Sequence, residues 1–333
     1  MTSDTRGQLL ILAALAAVLI AVPFVVPNSY YLDIAAKTCI AAVVCVGLNL
    51  LVGYAGQISL GHAAFFGIGA YATAILGSRY EITPMLAMTA GACITAIVAY
   101  ATARTVLHLK GHYLAMATLA IGVVVSIVLT REIGLTGGPD GMSVRRFNFF
   151  GYPVRGIWST YGIAAIALFI AVRTAMVLTN SRVGRALRAI RDSETAAQNA
   201  GIDIARYKTI VFVISAVYAS IAGSIFAHVD RFITPTQAGF MQSVEYLAMI
   251  VIGGLGSVFG AIVGALIMTV LPQALAAFDH FRHLLTGAVL ILIMIVMPAG
   301  IVPTLRLRVP MLWRRLTGRS APEVPSTQTP RAL

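Results

Sequence analysis

Hydrophobic residues along this chain gather in blocks of about 20, the length an α-helix needs to cross a hydrocarbon core. Blocks that read as spans run from Gly7 to Val26, Ile34 to Gly53, Gly61 to Gly77, Pro84 to Leu107, Tyr113 to Thr130, Gly156 to Leu178 and Tyr207 to Val229. The apolar stretch from Ser243 to Ala276 is too long for one pass, and Gly253, Gly254, Gly256 and Gly260 interrupt it, so it divides into two passes there. A last span, Leu284 to Val302, stops at Pro303. The pattern predicts an all-α polytopic membrane protein of roughly ten transmembrane helices with glycine-broken segments. Leu9 to Val26 lacks a small-residue cleavage site and a strongly basic front, so it is expected to remain as a span.

Composition agrees. The chain is 59% hydrophobic and 11% charged, where a soluble domain carries about 25% charged residues. The net charge of +12 would suit a nucleic-acid partner, but the basic residues cluster in loops and the tail without aromatic platforms, so membrane sidedness explains them and no nucleic acid is expected. Arg182, Arg185, Arg188, Arg191, Arg206 and Lys208 place one loop in the cytoplasm, and Arg306, Arg308, Arg314, Arg315 and Arg319 do the same for the tail. Counting crossings puts both termini inside, with the Arg79 to Glu81 turn outside. The segment Arg131 to Arg155 falls outside despite its four arginines, which a short folded external element would reconcile. The expected division is a transmembrane domain over 1–305, with a cytoplasmic loop at 179–208, and a basic, disordered tail at 306–333. Cys39, Cys45 and Cys93 lie in apolar runs without ligand spacing and read as packing residues.

The 179–208 loop keeps helical periodicity outside the membrane. Val183, Leu187 and Ile190 share one face while Arg182, Arg185, Arg188 and Arg191 step along another. Asp192 is suited to N-cap a second short helix, Ser193 to Ala200, with Glu194 in its first turn and Gly201 at a left-handed C′ position. Ala196, Ala197 and Ala200 would let that helix sit deep in a partner's groove, with Glu194 and Gln198 at the rim. The alternative is a charged loop lying among anionic headgroups, although a helix offering only alanines lacks the broad apolar face this needs.

Two segments are dense in glycine: Gly53-Tyr-Ala-Gly56-Gln57-Ile-Ser59-Leu-Gly61-His62 and Ile252-Gly253-Gly254-Leu-Gly256-Ser257-Val-Phe-Gly260. Such paired interruptions can mark a pathway, because backbone groups freed from a helix must face protein or a watery cavity. Close helix packing through small residues is the other reading. Translocation-pathway candidates are Gly56, Gln57, Ser59, His62, Gly253, Gly254, Gly256 and Ser257. For His62 and Glu245 the preferred reading is an interfacial residue satisfied by hydrogen bonds, ahead of a substrate contact, and Asp230 and Arg231 read as caps of an external loop. The sequence holds no Walker phosphate loop, no HExxH or CxxC metal spacing and no GxSxG elbow, so neither catalytic residues nor a metal or cofactor of its own is expected.

Five stretches, taken in order, resemble the LivM-type permeases of branched-chain amino acid ATP-binding cassette importers. They run from Asn49 to Tyr71, Leu109 to Thr118, Thr136 to Gly141, Gly184 to Gly201 and Ile252 to Gly260, within a similarity that extends from Asn49 to Val302. The resemblance implies a subunit of the bacterial inner membrane that pairs with a LivH-type permease. It further implies two ATPase subunits, which bind ATP and Mg, and a periplasmic or extracellular amino-acid-binding protein. The loop then corresponds to the family's coupling helix, with Arg188, Arg191, Asp192, Glu194, Ala197 and Gly201 engaging the ATPases. Related permeases carry urea and short amides, so these remain alternative substrates. An ion-coupled secondary transporter is the competing class, but it needs a mid-span carboxylate that the sequence scarcely offers, and a noncatalytic scaffold would leave the doubly capped loop unexplained.

Overall fold

The computed structural model describes residues 3–25, 28–106, 111–145, 148–149, 152–153, 156–275 and 282–305. The expected tail, its arginines, the Leu109–Lys110 part of one motif, and Arg146 and Arg155 lie outside the described residues. Each expected span has a helix: α1 (Ser3–Val25), α2 (Ser29–Asn49), α3 (His62–Arg79), α4 (Pro84–Val106), α5 (His112–Arg131), α7 (Ile157–Asn180), α10 (Ile204–Asp230), α11 (Phe240–Gly253), α12 (Val258–Ala274) and α13 (Arg282–Val296). Between them lie a single turn, α6 (Ile133–Thr136), and two helices of the charged loop, α8 (Arg182–Asp192) and α9 (Glu194–Asn199). Six helices are long and apolar enough to cross a membrane, among the described residues, and three shorter apolar ones accompany them. The protein is an all-α polytopic membrane protein.

Helix α10 is the axis, packed along α2, α3 and α4. In lipid no hydrophobic effect drives helices together, so close contact depends on small residues and interhelical hydrogen bonds. Both are present. A Cβ on Gly223 would lie 2.0 Å from the Phe66 carbonyl oxygen, and one on Gly69 would lie 2.1 Å from that of Ser220. Thr95 Oγ1 donates to Ser220 Oγ at 2.9 Å, and Ser224 Oγ to the Gly69 carbonyl at 3.1 Å. These bonds stitch α3, α4 and α10 without a buried charge. Helix α1 is peripheral, held to α7 by the Tyr161 hydroxyl on the Leu19 carbonyl at 2.9 Å and by the Phe24 and Trp158 rings, 5.9 Å apart edge to face.

The split at the second glycine cluster falls where the sequence placed it, but the products are short. Helix α11 has 14 residues, about 21 Å of rise against a hydrocarbon core of about 30 Å. Ahead of it, the turn Pro235–Ala238 is itself tucked against α3 and α5, so the pass starts below the end of the bundle. The last span departs further from expectation. Helix α13 stops at Val296, and a turn at Met297–Gly300 precedes residues 301–305, because Pro298 has no N–H to give and Gly300 adopts φ +87°.

The described residues of the 131–155 segment form a short folded element, as anticipated. Thr136 Oγ1 donates to the Leu129 carbonyl at 2.7 Å, and Gly137, Gly138 and Gly141 all take positive φ in the turn that follows. Met142 and Ser143 then pair antiparallel with Ile233 and Phe232, a small β-ladder the all-α reading did not foresee, and Asn148–Phe149 pairs with Tyr152–Pro153. Arg145 meets Glu81 at 3.0 Å, and Lys37 joins Asp33 at 3.1 Å and Asp230 at 2.9 Å. Glu81, Arg145, Asp33, Lys37 and Asp230 are therefore partnered. Arg231 caps α10 in a left-handed conformation at φ +58°, as a loop-capping residue should.

Candidate functional site

The two glycine-rich breaks, some 200 residues apart in sequence, meet. Helix α2 runs on through a π-turn, Leu50–Tyr54, before Gly56 at φ +69° turns the chain away. Gly256, at φ +77° in the second break, lies so close that a Cβ on Gly53 would sit 2.4 Å from its nitrogen. Asn49 fastens the crossing: its Oδ1 accepts from the Gly256 N–H at 2.9 Å and its Nδ2 donates to the Ser257 carbonyl at 2.9 Å. One buried amide thus satisfies backbone groups that the break removes from a helix, as a membrane interior requires. Ser257 Oγ accepts from the Gly260 N–H at 3.1 Å and caps α12. Close packing, the alternative reading of the glycines, holds as well. Cβ atoms on Gly253 and Gly264 would each fall 1.8 Å from a backbone oxygen across the α11–α12 pair.

The first break is held by three further helices. The Leu60 N–H donates to Thr118 Oγ1 of α5 at 3.1 Å, and the Ala63 N–H to Ser243 Oγ of α11 at 3.0 Å. His62 is fully buried among the helices at the start of α3, with Nε2 2.8 Å from Ser215 Oγ of α10 and its ring edge-on to Phe65. Its Nδ1, both amide atoms of Gln57 and the Ser59 hydroxyl are buried and meet no partner among the described residues. Leaving such groups unmet costs about 1–3 kcal/mol each, so water or a polar solute is their natural complement. Glu245 is exposed and accepts from Gln242 Nε2 at 3.1 Å, apart from this cluster.

The charged loop folds against the same region. Leu187 and Ile190 of α8 are buried as the periodicity predicted, and Arg188 donates to the Thr179 carbonyl at 3.1 Å. The cap of α9 is Ser193, not Asp192: Ser193 Oγ accepts from the Ala196 N–H at 3.3 Å, while Asp192 is still helical and ends α8. The extended backbone at Ser193, φ −162°, turns the corner, and Gly201 at φ +78° ends the unit as expected. Two side chains read as partner contacts are turned inward. Ala197 is buried, and Glu194 reaches back to Lys208 Nζ of α10 at 2.7 Å, leaving Ala196, Gln198 and Ala200 on the exposed face. Lys208 is only 4% exposed, so its ammonium depends on that carboxylate. Arg191 leaves the loop altogether and donates to the Gly53 carbonyl of the first break.

Asn49, Ser215 and Lys208 are the members that sequence reasoning missed as site residues. Asn49 opens the family-like stretch that runs to Tyr71, and a polar amide before a glycine-rich break was the available signal. Nothing local marks Ser215 as the partner of a histidine on another helix. Among the described residues no group of three or more His, Cys, Asp or Glu gathers to hold a metal.

A bundle of helices of membrane-crossing length and hydropathy, with two polar, glycine-lined breaks crossing beside a capped, charged loop, fits a transport permease. Residues 30–297 match the family described as "Branched-chain amino acid transport system / permease component", and the chain belongs to it. It is 32% identical to the high-affinity branched-chain amino acid transport system permease LivM of Salmonella typhimurium, and equally to that of Escherichia coli K12, over 91% of this chain and 77% of each relative. It is also 27% identical to LivH of Salmonella typhimurium over 78% of this chain and 90% of that protein. No solved structure matches. As a transport permease the chain is not an enzyme.

Proposed function

We propose that this chain is the membrane-spanning permease subunit of an ATP-binding cassette importer, carrying branched-chain amino acids or closely related small zwitterionic or neutral solutes across the inner membrane. Separate ATPase subunits supply the energy, since no phosphate loop occurs in the sequence. The observation that carries the reading is the capped α8–α9 unit, pinned to α10 through Glu194 and Lys208, bonded to the first glycine break through Arg191 and set beside the second. In this reading the loop faces the cytoplasm with both termini, and ATP-driven closure of the ATPases pushes Ala196, Gln198 and Ala200. The push reaches the crossing of the breaks through rigid helices. Gln57, Ser59 and His62 line the pathway, where unpartnered amide, hydroxyl and imidazole groups suit a small zwitterion and no fixed charge traps it. The likeness to both LivM and LivH supports a pair of homologous permeases, served by an amino-acid-binding protein on the far side.

Purification of a tagged chain from its own membranes tests this. A stoichiometric second permease and two ATPase subunits should co-purify, and proteoliposomes of the complex should take up labelled leucine more readily than urea or acetamide. A monodisperse lone subunit that transports by itself would sink the proposal, and uptake of urea in preference to leucine would move the substrate to the alternative class.

A further inference from the structure

We infer that Arg191 is a positioning residue for transport: its guanidinium latches the crossing of the two glycine breaks to the loop element, so that displacement of α8–α9 frees the crossing to open. This rests on the importer reading. The π-turn and the departure of the chain after Ala55 leave the last carbonyls of the α2 span without helical partners, and Arg191 Nη1 donates to one of them, that of Gly53. A cation at a helix C-terminus is also favoured by the aligned peptide dipoles. The same nitrogen lies 3.1 Å from where a Cβ of Gly256 would stand, so it covers the second break too. The backbone follows, since a Cβ on Gly56 would lie 3.3 Å from Arg191 Cγ and 3.7 Å from Arg191 Cα. Larger residues at Gly56 and Gly256 would hold the loop away.

Asn49 ties one break to the other through two neutral hydrogen bonds, so Arg191 reinforces a crossing that is closed in this state. On its other side Arg191 stands one residue inside the end of α8, next to the corner at Ser193, and Glu194 beyond the corner is tied to α10. A push on α9 therefore turns about Arg191. A lysine there keeps the charge and a single donor but not the planar guanidinium that lies beside Gly256 while it bonds Gly53.

The test uses the full complex with its partner permease, ATPases and binding protein, in a Cys93→Ser background carrying spin labels at Ile58→Cys and Leu255→Cys, one in each break. In the native sequence the label separation should change between nucleotide-free and ATP-trapped states. In Arg191→Ala the two states should give the same distribution, and solute carried per ATP hydrolysed should fall by about tenfold, the size of one charge-assisted hydrogen bond. Arg191→Lys should recover part of both. A native nucleotide response and native coupling in Arg191→Ala would overturn the latch, as would a loss of assembly in Arg191→Ala with Arg191→Lys and Arg191→Gln fully coupled. If the native complex shows ATP-independent uptake, the importer reading itself falls and the latch with it.

Discussion

Single residues matter most where backbones touch. Gly253 and Gly264 face carbonyl oxygens that belong to rigid helices, so a methyl group at either has nowhere to go. Gly253→Ala or Gly264→Ala should lower the apparent melting temperature of the detergent-solubilised protein sharply or abolish its folding. Gly77→Ala is the control: nothing lies within 4 Å of its Cβ position in α3, and alanine is the better helix former by roughly 0.5–1 kcal/mol. Its melting temperature should hold or rise, and a fall equal to that of Gly253→Ala would contradict the packing account. At Asn49 the two outcomes of substitution differ by chemistry. Asn49→Asp keeps the acceptor for the Gly256 N–H but loses the donor to the Ser257 carbonyl and buries a charge, so it should destabilise more than Asn49→Ser, as ranked by fluorescence-detected size exclusion after heating.

At the scale of elements, the loop unit depends on one asymmetric ion pair. Removing the carboxylate strands a 4%-exposed ammonium, whereas removing the ammonium leaves Glu194 partly in water. Glu194→Gln should cost about 2–3 kcal/mol and Lys208→Met under about 1 kcal/mol. Equal losses in thermal denaturation of the two variants would refute the burial argument. The unit was largely legible in the sequence: three-residue arginine steps, an apolar face at Leu187 and Ile190, and glycine at position 201 are local signals. Which of Asp192 and Ser193 caps α9 was not, because both are good caps and the choice is made by how far α8 continues. The inward turn of Ala197 and Glu194 was hidden for another reason, since it depends on where Lys208 of a different helix comes to rest. The break in the last span shows the limit from the other side. Pro298 and Gly300 carried the signal, but the high hydropathy around them masked it.

Across the whole molecule, hydropathy located the membrane helices because the bilayer imposes one length and one solvent on all of them. It could not show that the two glycine-rich segments cross, a contact that depends on Asn49 reaching another part of the chain. Their meeting beside the loop brings two separate motifs together, and in the proposed function energy delivered to α8–α9 arrives there, where polar groups line the path. The most direct measurement is leucine uptake into proteoliposomes holding the purified complex and its binding protein, with ATP inside or omitted and with a protonophore added. The account predicts that uptake requires ATP and persists when ion gradients are collapsed. Uptake that continues without ATP and stops with the protonophore would contradict it and leave an ion-coupled transporter in its place.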